Sequence, residues 1–213
     1  MEICDYFKDW MDVIDVNLLN STLNRLSSVN FIPDRNVVFE AFRKCDYNNL
    51  KVLFLGMDPY PQKGVATGVA FANRKDTPYD KLSPSLKVIV DSLNKYYTDL
   101  PNGEFDYSLD SWSRQGVMLL NSALTVIENK PGSHALIWRP FISKLLNNLS
   151  VKKNRTIFVL FGKQASSFRR FIESDYVIET VHPSFCARNN ELLPDIFSQI
   201  DSMMNPYDLI YWL

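Results

Sequence analysis

The chain has 213 residues, of which 46% are hydrophobic and 13% aromatic, enough for one sizeable packed core and too apolar for a disordered chain. Its formal net charge of −1 argues against a protein that coats nucleic acid through overall basicity, though not against one that touches a few phosphates through amides and hydroxyls. The three cysteines, Cys4, Cys45 and Cys186, are far apart and form no CxxC pair, so neither a disulfide framework nor a cysteine zinc site is expected, and they read as reduced thiols.

The amino-terminal stretch MEICDYFKDWMDVIDV is acidic where a secretion signal would be basic and then apolar, and no apolar run reaches membrane-spanning length. A soluble, cytoplasmic protein with no membrane partner is the expectation. The first ~45 residues read as helices: FKDWMDVIDVNLLNSTLNRL carries apolar residues at mixed three- and four-residue spacing, and NVVFEAFRKC comes after Pro33-Asp34. A strand, KVLFLG (51–56), comes next. The loop 57–83 after it holds Pro59, Pro61, Gly64, Gly68 and Pro78, and loops of that length are usually functional or disordered. Ser83-Pro84-Ser85 opens a helix through about Tyr97, with Pro84 in its first turn.

A second loop, 98–110, leads to the amphipathic stretch DSWSRQG and a strand at 117–120, VMLL. FISKLLNNL (141–149) reads as a helix, TIFVLF (156–161) as a strand and KQASSFRRFI (163–172) as a helix. Strand 176–181 and a closing helix at roughly 191–204 complete the pattern. Strands alternating with helices predict an α/β fold. We expect a single domain over 1–213, with a helical part at 1–48 and an α/β core at 49–213. Its central four-stranded, mainly parallel sheet would have helices on both faces.

Each of the four apolar runs ends in small or polar residues: Met57-Asp58-Pro59-Tyr60, Asn121-Ser122, Gly162-Lys163 and His182-Pro183-Ser184. Ligands of open α/β sheets bind outside the carboxyl ends of the strands, so these four ends predict one pocket. With only two histidines and no HExxH or acidic calcium loop, no metal site is expected. No GxSxG elbow and no phosphate-binding glycine fingerprint is present. Asp58 is held extended by the proline after it, and could as well cap its own loop. Phe71, between small residues in GVAFAN, can stack on a planar base or fill the core. Asn121 ends a wholly apolar strand with a carboxamide able to read a base edge bidentately, or to cap the next element. His182 sits at a strand end, on an expected turn.

Several stretches in this order resemble the family 1 uracil-DNA glycosylases: GMDPYPQKGVATGVAF, LSPSLKVI, QGVMLLNSALTV, PGSHALIWRPF, FVLFGKQA and HPSF, spread over roughly residues 50–190. The resemblance implies a metal- and cofactor-free enzyme that flips uracil out of DNA and hydrolyses its glycosidic bond. By position, Asp58 would hold the attacking water and stabilise the sugar cation, and His182 would donate to uracil O2, helped by the N–H of Met57. Asn121 would read O4 and N3–H, Phe71 would stack on the base, and Tyr60 would exclude a methyl group at C5. Pro84, Ser85, Gly162, Lys163, Ser184, Phe185, Cys186 and Arg188 would meet the DNA backbone and the gap left by the base. Lysines 152, 153 and 163 with arginines 155, 169 and 170 would add a local basic cluster. Uracil-containing DNA, single- or double-stranded, is the implied partner of a monomer, and a DNA-mimicking inhibitor protein is a further candidate partner.

The chain also departs from the family pattern. Met57 stands where glutamine is usual, Pro61 replaces histidine, Lys163 replaces serine, and the proline-rich stretch is thinned to KLSPS. Phe185-Cys186-Ala187-Arg188 replaces the stretch with the wedging leucine, Cys186 standing at that position, so Phe185 or Arg188 is expected to fill the gap. These departures motivate the alternative, a DNA-binding member that senses uracil with weak or lost catalysis.

Overall fold

The structure, a computed structural model, describes residues 6–97 and 105–213. Cys4 and much of the loop expected at 98–110 lie outside them. In chain order the helices are α1 (Val16–Leu26), α2 (Glu40–Lys44), α3 (Pro84–Tyr96), α4 (Asp110–Arg114), α5 (Ala135–Lys152), α6 (Gly162–Ser166), α7 (Pro183–Asn189) and α8 (Ile196–Met203). The strands are β1 (Val52–Gly56), β2 (Val117–Asn121), β3 (Ile157–Phe161) and β4 (Val177–Thr180). They form one sheet in the order β2-β1-β3-β4, and every pairing is parallel.

Alternation along the strands sends side chains to two separate cores. Leu53, Leu55, Met118, Leu120, Phe158 and Leu160 join one cluster with α1, α2 and α5. Val52, Phe54, Val117, Leu119, Ile157, Val159 and Phe161 join the other with α3, α7 and α8. A sheet buried on both faces reads as continuous apolar runs, which is why the strands are visible as such in the sequence. The C-terminal residues seal the second core: the Trp112 indole donates to Trp212 O at 3.0 Å, and the Trp212 indole to Asp201 Oδ1 at 3.0 Å. No helix among the described residues is long and apolar enough to cross a membrane.

Helix boundaries differ from expectation where proline or short-range capping intervenes. Residues 163–172 are a short helix followed by a 3-10 turn at Arg169–Phe171. α5 begins at Ala135, well before the expected 141, and carries Pro140 inside it. A proline early in a helix removes only one backbone bond, and Trp138 and Phe141, both buried, hold the first turns down. The stretch after His182, expected as a turn and loop, is α7. His182 is its N-cap, accepting from the Ser184 N–H, with Pro183 in the first turn.

Candidate active site

The connection from β1 passes through α3 on one face of the sheet, whereas those from β2 and β3 enter α5 and α6 on the other. The loops therefore splay apart at the carboxyl end of β1, where such folds open a crevice. A cleft lies there, lined by Asp58, Tyr60, Phe71, Ser85, Asn121 and His182, with Pro59, Ala66, Gly68 and Val69. Residues from the ends of β1, β2 and β4 and from the start of α3 thus meet in one place.

Backbone constraints set the geometry. Gly56 is the register partner of Asn121, and a Cβ on it would stand 2.6 Å from Asn121 Oδ1 and 3.1 Å from Phe71 Cζ. The missing side chain lets amide and ring close over the strand end. Phe71 has φ +67°, a conformation costing an aromatic residue about 1–3 kcal/mol. It is held there by the Tyr60 hydroxyl, which donates to Phe71 O at 2.8 Å, and by the neighbouring Ala70 N–H, which donates to Leu119 O at 3.0 Å. Its ring packs edge-on to Phe161, centroids 5.0 Å apart, and tilts toward His182 at 5.8 Å. Gly162, with φ +80°, brings the β3 end so near that a Cβ would meet His182 Cβ at 2.8 Å.

Charge in the cleft is set by burial. Desolvation raises the pKa of Asp58 above the ordinary carboxylate value, and the Gly132 N–H, donating to Oδ2 at 2.5 Å, partly reverses this. Burial, aided by the Arg188 charge, pulls His182 down to about 4. The imidazole is therefore neutral at pH 7. Its Nδ1 lies 3.1 Å from the Ser184 backbone N and 2.8 Å from Ser184 Oγ. Accepting the backbone N–H makes Nδ1 the bare nitrogen, so Nε2 carries the proton and can donate. Met57 is fixed by its carbonyl, which accepts from Ser122 Oγ at 2.8 Å and Ala123 N at 3.0 Å. Among the described residues no group of three or more histidine, cysteine or acidic side chains is placed to hold a metal ion.

The sequence profile described as the Uracil DNA glycosylase superfamily matches residues 42–202. The chain belongs to that superfamily. It is 33% identical over 210 residues to a uracil-DNA glycosylase of Borrelia turicatae, covering 90% of each chain. It is 32% identical over 196 residues to one of Fusobacterium nucleatum, covering 85% of this chain and 83% of the relative. Its fold matches the crystal structure of mimivirus uracil-DNA glycosylase with a TM-score of 0.72 at 22% identity, over 99% of this chain and 91% of that one.

For this superfamily member the expected cleft residues Asp58, Tyr60, Phe71 and Asn121 converge with His182, and Met57 joins the end of β1 to Asp58. Pro84 and Ser85 open α3 beside the cleft, Ser85 lining it. Phe185 is 46% exposed on α7 beside His182, and Arg188 lies farther along the same helix. Cys186 corrects the expectation of a DNA contact: it is wholly buried, on the side of α7 that faces the core with α3. A thiol there packs and cannot reach a DNA strand.

The basic cluster is corrected as well. Lys152, Lys153 and Arg155 line a cavity of about 440 Å³ at the amino end of the sheet, opposite the cleft. Lys152 donates to Asp12 O at 2.8 Å and Lys153 lies 4.4 Å from the Tyr47 ring centroid. Arg169 donates to Ile172 O at 2.8 Å and Arg170 stacks on Phe171. Of the six cations only Lys163 stands at the carboxyl end of β3. Nearness in sequence to a strand does not say at which end of the strand a charge lies. Ser122, at the end of β2, holds Met57, and the 125–134 segment, to which the sequence assigned no part in the site, holds Asp58. The one sequence signal of that segment is the PGSH stretch, a turn-forming run just ahead of a helix.

Proposed function

We propose that the protein is a uracil-DNA glycosylase that swings uracil out of DNA and hydrolyses its N-glycosidic bond, leaving an abasic site, without metal or cofactor. The observation that carries this reading is the convergence of Asp58, Tyr60, Phe71, Asn121 and His182 on a single cleft. Flipping the nucleotide costs a few kcal/mol of stacking and pairing, offset by stacking of uracil on Phe71 and by Asn121, whose Nδ2 donates to O4 and whose Oδ1 accepts from N3–H. Tyr60 closes the space beside C5, which leaves no room for thymine's methyl group.

Bond cleavage separates charge: the sugar becomes cationic and the departing uracil anionic. Asp58 faces the first with its carboxylate and orients the attacking water. Neutral His182 offers Nε2–H to O2 of the second, a preorganised donor that needs no reorientation during the reaction. The Met57 N–H adds to this through its backbone, so the change from glutamine to methionine leaves the contact in place. Ser85, Ser184, Gly162 and Lys163 grip the phosphates, and Phe185 fills the space vacated by the base. The same rim is the surface a DNA-mimicking inhibitor protein would cover. The enzyme acts as a cytoplasmic monomer.

Incubation with an oligonucleotide holding one uracil, in excess EDTA, tests the reading. Free uracil and an alkali-labile abasic site are expected from both single and paired strands. Binding to the uracil oligonucleotide with no release would favour the uracil-sensing alternative.

A further inference from the structure

Segment 125–134 runs beside the Asp58 loop and is joined to it twice. The Gly132 N–H donates to Asp58 Oδ2 at 2.5 Å, and the Asn129 N–H donates to Pro61 O at 3.0 Å. Behind this seam stands a buried polar triad. Thr125, His134 and Trp138 are at most 2% exposed. Trp138 Nε1 donates to Thr125 Oγ1 at 2.7 Å, and the same oxygen lies 2.8 Å from His134 Nδ1. The hydroxyl still has its proton and a second lone pair, so one hydrogen bond, of either sense, joins it to Nδ1. Burial lowers the His134 pKa and so favours the neutral ring. Two short bonds stiffen the turn between: Ser133 Oγ accepts the Ile127 N–H at 2.8 Å, and Gly132 O accepts the Ala135 N–H at 3.1 Å.

None of the three triad residues lines the cleft. Their route to the chemistry is the Gly132 N–H. We propose that His134, locked by Thr125 and Trp138, is a positioning residue: it holds Gly132 on Asp58 Oδ2, fixing the carboxylate plane and leaving Oδ1 for the attacking water. This role rests on the reading of Asp58 as the water-orienting carboxylate. It gives a function to a buried neutral histidine that the reaction itself does not use. Buried hydrogen-bond networks of this kind restrict a site to one geometry, and a hydrogen bond to an ionised acceptor favours the ionised form. The Gly132 bond therefore works against the rise in the Asp58 pKa that burial causes. The other ionisable groups on the elements around Asp58 are Tyr60 and His182 in the cleft, Glu128 and Lys130 on the 125–134 segment, and Lys63 beyond Pro61.

The test pairs disruptive with conservative substitutions. Thr125→Val and His134→Ala remove the lock; Thr125→Ser keeps a hydroxyl, and His134→Asn places an acceptor oxygen near the site of Nδ1. Single-turnover uracil excision is followed from pH 4 to 8. The first pair should lose roughly tenfold in rate, as expected for one charge-assisted hydrogen bond. Their acid limb should move to higher pH with KM unchanged, and the second pair should recover both. An unmoved acid limb in variants that melt cooperatively would overturn the proposal. A second readout compares Asp58→Asn with the unsubstituted protein: the Gly132 amide resonance should titrate with the carboxylate and lose that titration in Asp58→Asn. A Gly132 amide indifferent to this change would equally refute it. If the unsubstituted protein releases no uracil, the functional reading fails, while the Gly132 titration, expected to weaken in Thr125→Val and His134→Ala and unchanged there if the lock has no role, still decides the lock.

Discussion

The Tyr60 hydroxyl donates to the backbone carbonyl of Phe71 at 2.8 Å and holds that residue at φ +67°. The ring assigned to exclude thymine and the ring assigned to stack on uracil are thus coupled through one hydrogen bond. Burial pushes the Tyr60 phenol up, so it remains a donor through the working pH range. Tyr60→Phe keeps the excluding ring and removes the tether. It should reduce kcat/KM on uracil by about fivefold, as for one neutral hydrogen bond, without gaining activity on thymine. Tyr60→Ala should open the C5 wall and release thymine from a mispaired oligonucleotide.

Gly56 is the second coupling point. Gly56→Ala pushes a methyl into Asn121 Oδ1 at 2.6 Å and Phe71 Cζ at 3.1 Å. Overpacking of this kind costs about 1–3 kcal/mol. With the strain falling on the base-reading amide, excision should drop by roughly ten- to a hundredfold, while the affinity for undamaged DNA stays constant. Equal activity of Gly56→Ala and the unsubstituted enzyme would show that Asn121 reads no base.

His182 gives a pH signature of its own. Its folded-state pKa of about 4 lies below the ordinary 6.5, so the unfolded chain binds more protons between those values. Stability from this group is full above pH 6.5 and falls with pH below it, by about 1 kcal/mol per pH unit at most. In a nitrogen-15 titration the ring should stay neutral, with Nε2 protonated, down to about pH 5. A ring titrating near its ordinary value would contradict the assigned donor.

On the rim, Phe185 is exposed on α7 and Arg188 shares the helix with it, while Cys186 is buried between them. Phe185→Ala combined with Arg188→Ala should slow cleavage of paired uracil far more than of single-stranded uracil, since only a duplex needs the gap filled. Cys186→Ser should instead lower the melting temperature and leave the ratio of the two rates unchanged.

Strand burial made much of the fold legible in the sequence. Strands covered on both faces appear as unbroken apolar runs such as VLFLG and IFVLF, and their polar ends named Asp58, Asn121 and His182 directly. Less legible was whatever depends on three-dimensional closure. α7 hides behind His182-Pro183, because a proline that ends a turn and one that opens a helix look alike until the N-cap bond is seen. The basic residues near β3 pointed to the wrong end of the sheet, because charge near a strand carries no direction. The Thr125–His134–Trp138 lock joins residues that look like an ordinary helix start, and its purpose is visible only through the Gly132 N–H on Asp58.

In the proposed mechanism Asp58 is the carboxylate that carries the hydrolysis. Single-turnover release of uracil by Asp58→Asn, on a single-stranded oligonucleotide at neutral pH with EDTA, tests it most directly. Loss of a preorganised charge facing the sugar cation predicts a rate lower by roughly a hundredfold or more, with oligonucleotide affinity and melting temperature retained. An Asp58→Asn enzyme that releases uracil at the unsubstituted rate would show that Asp58 does not carry the hydrolysis.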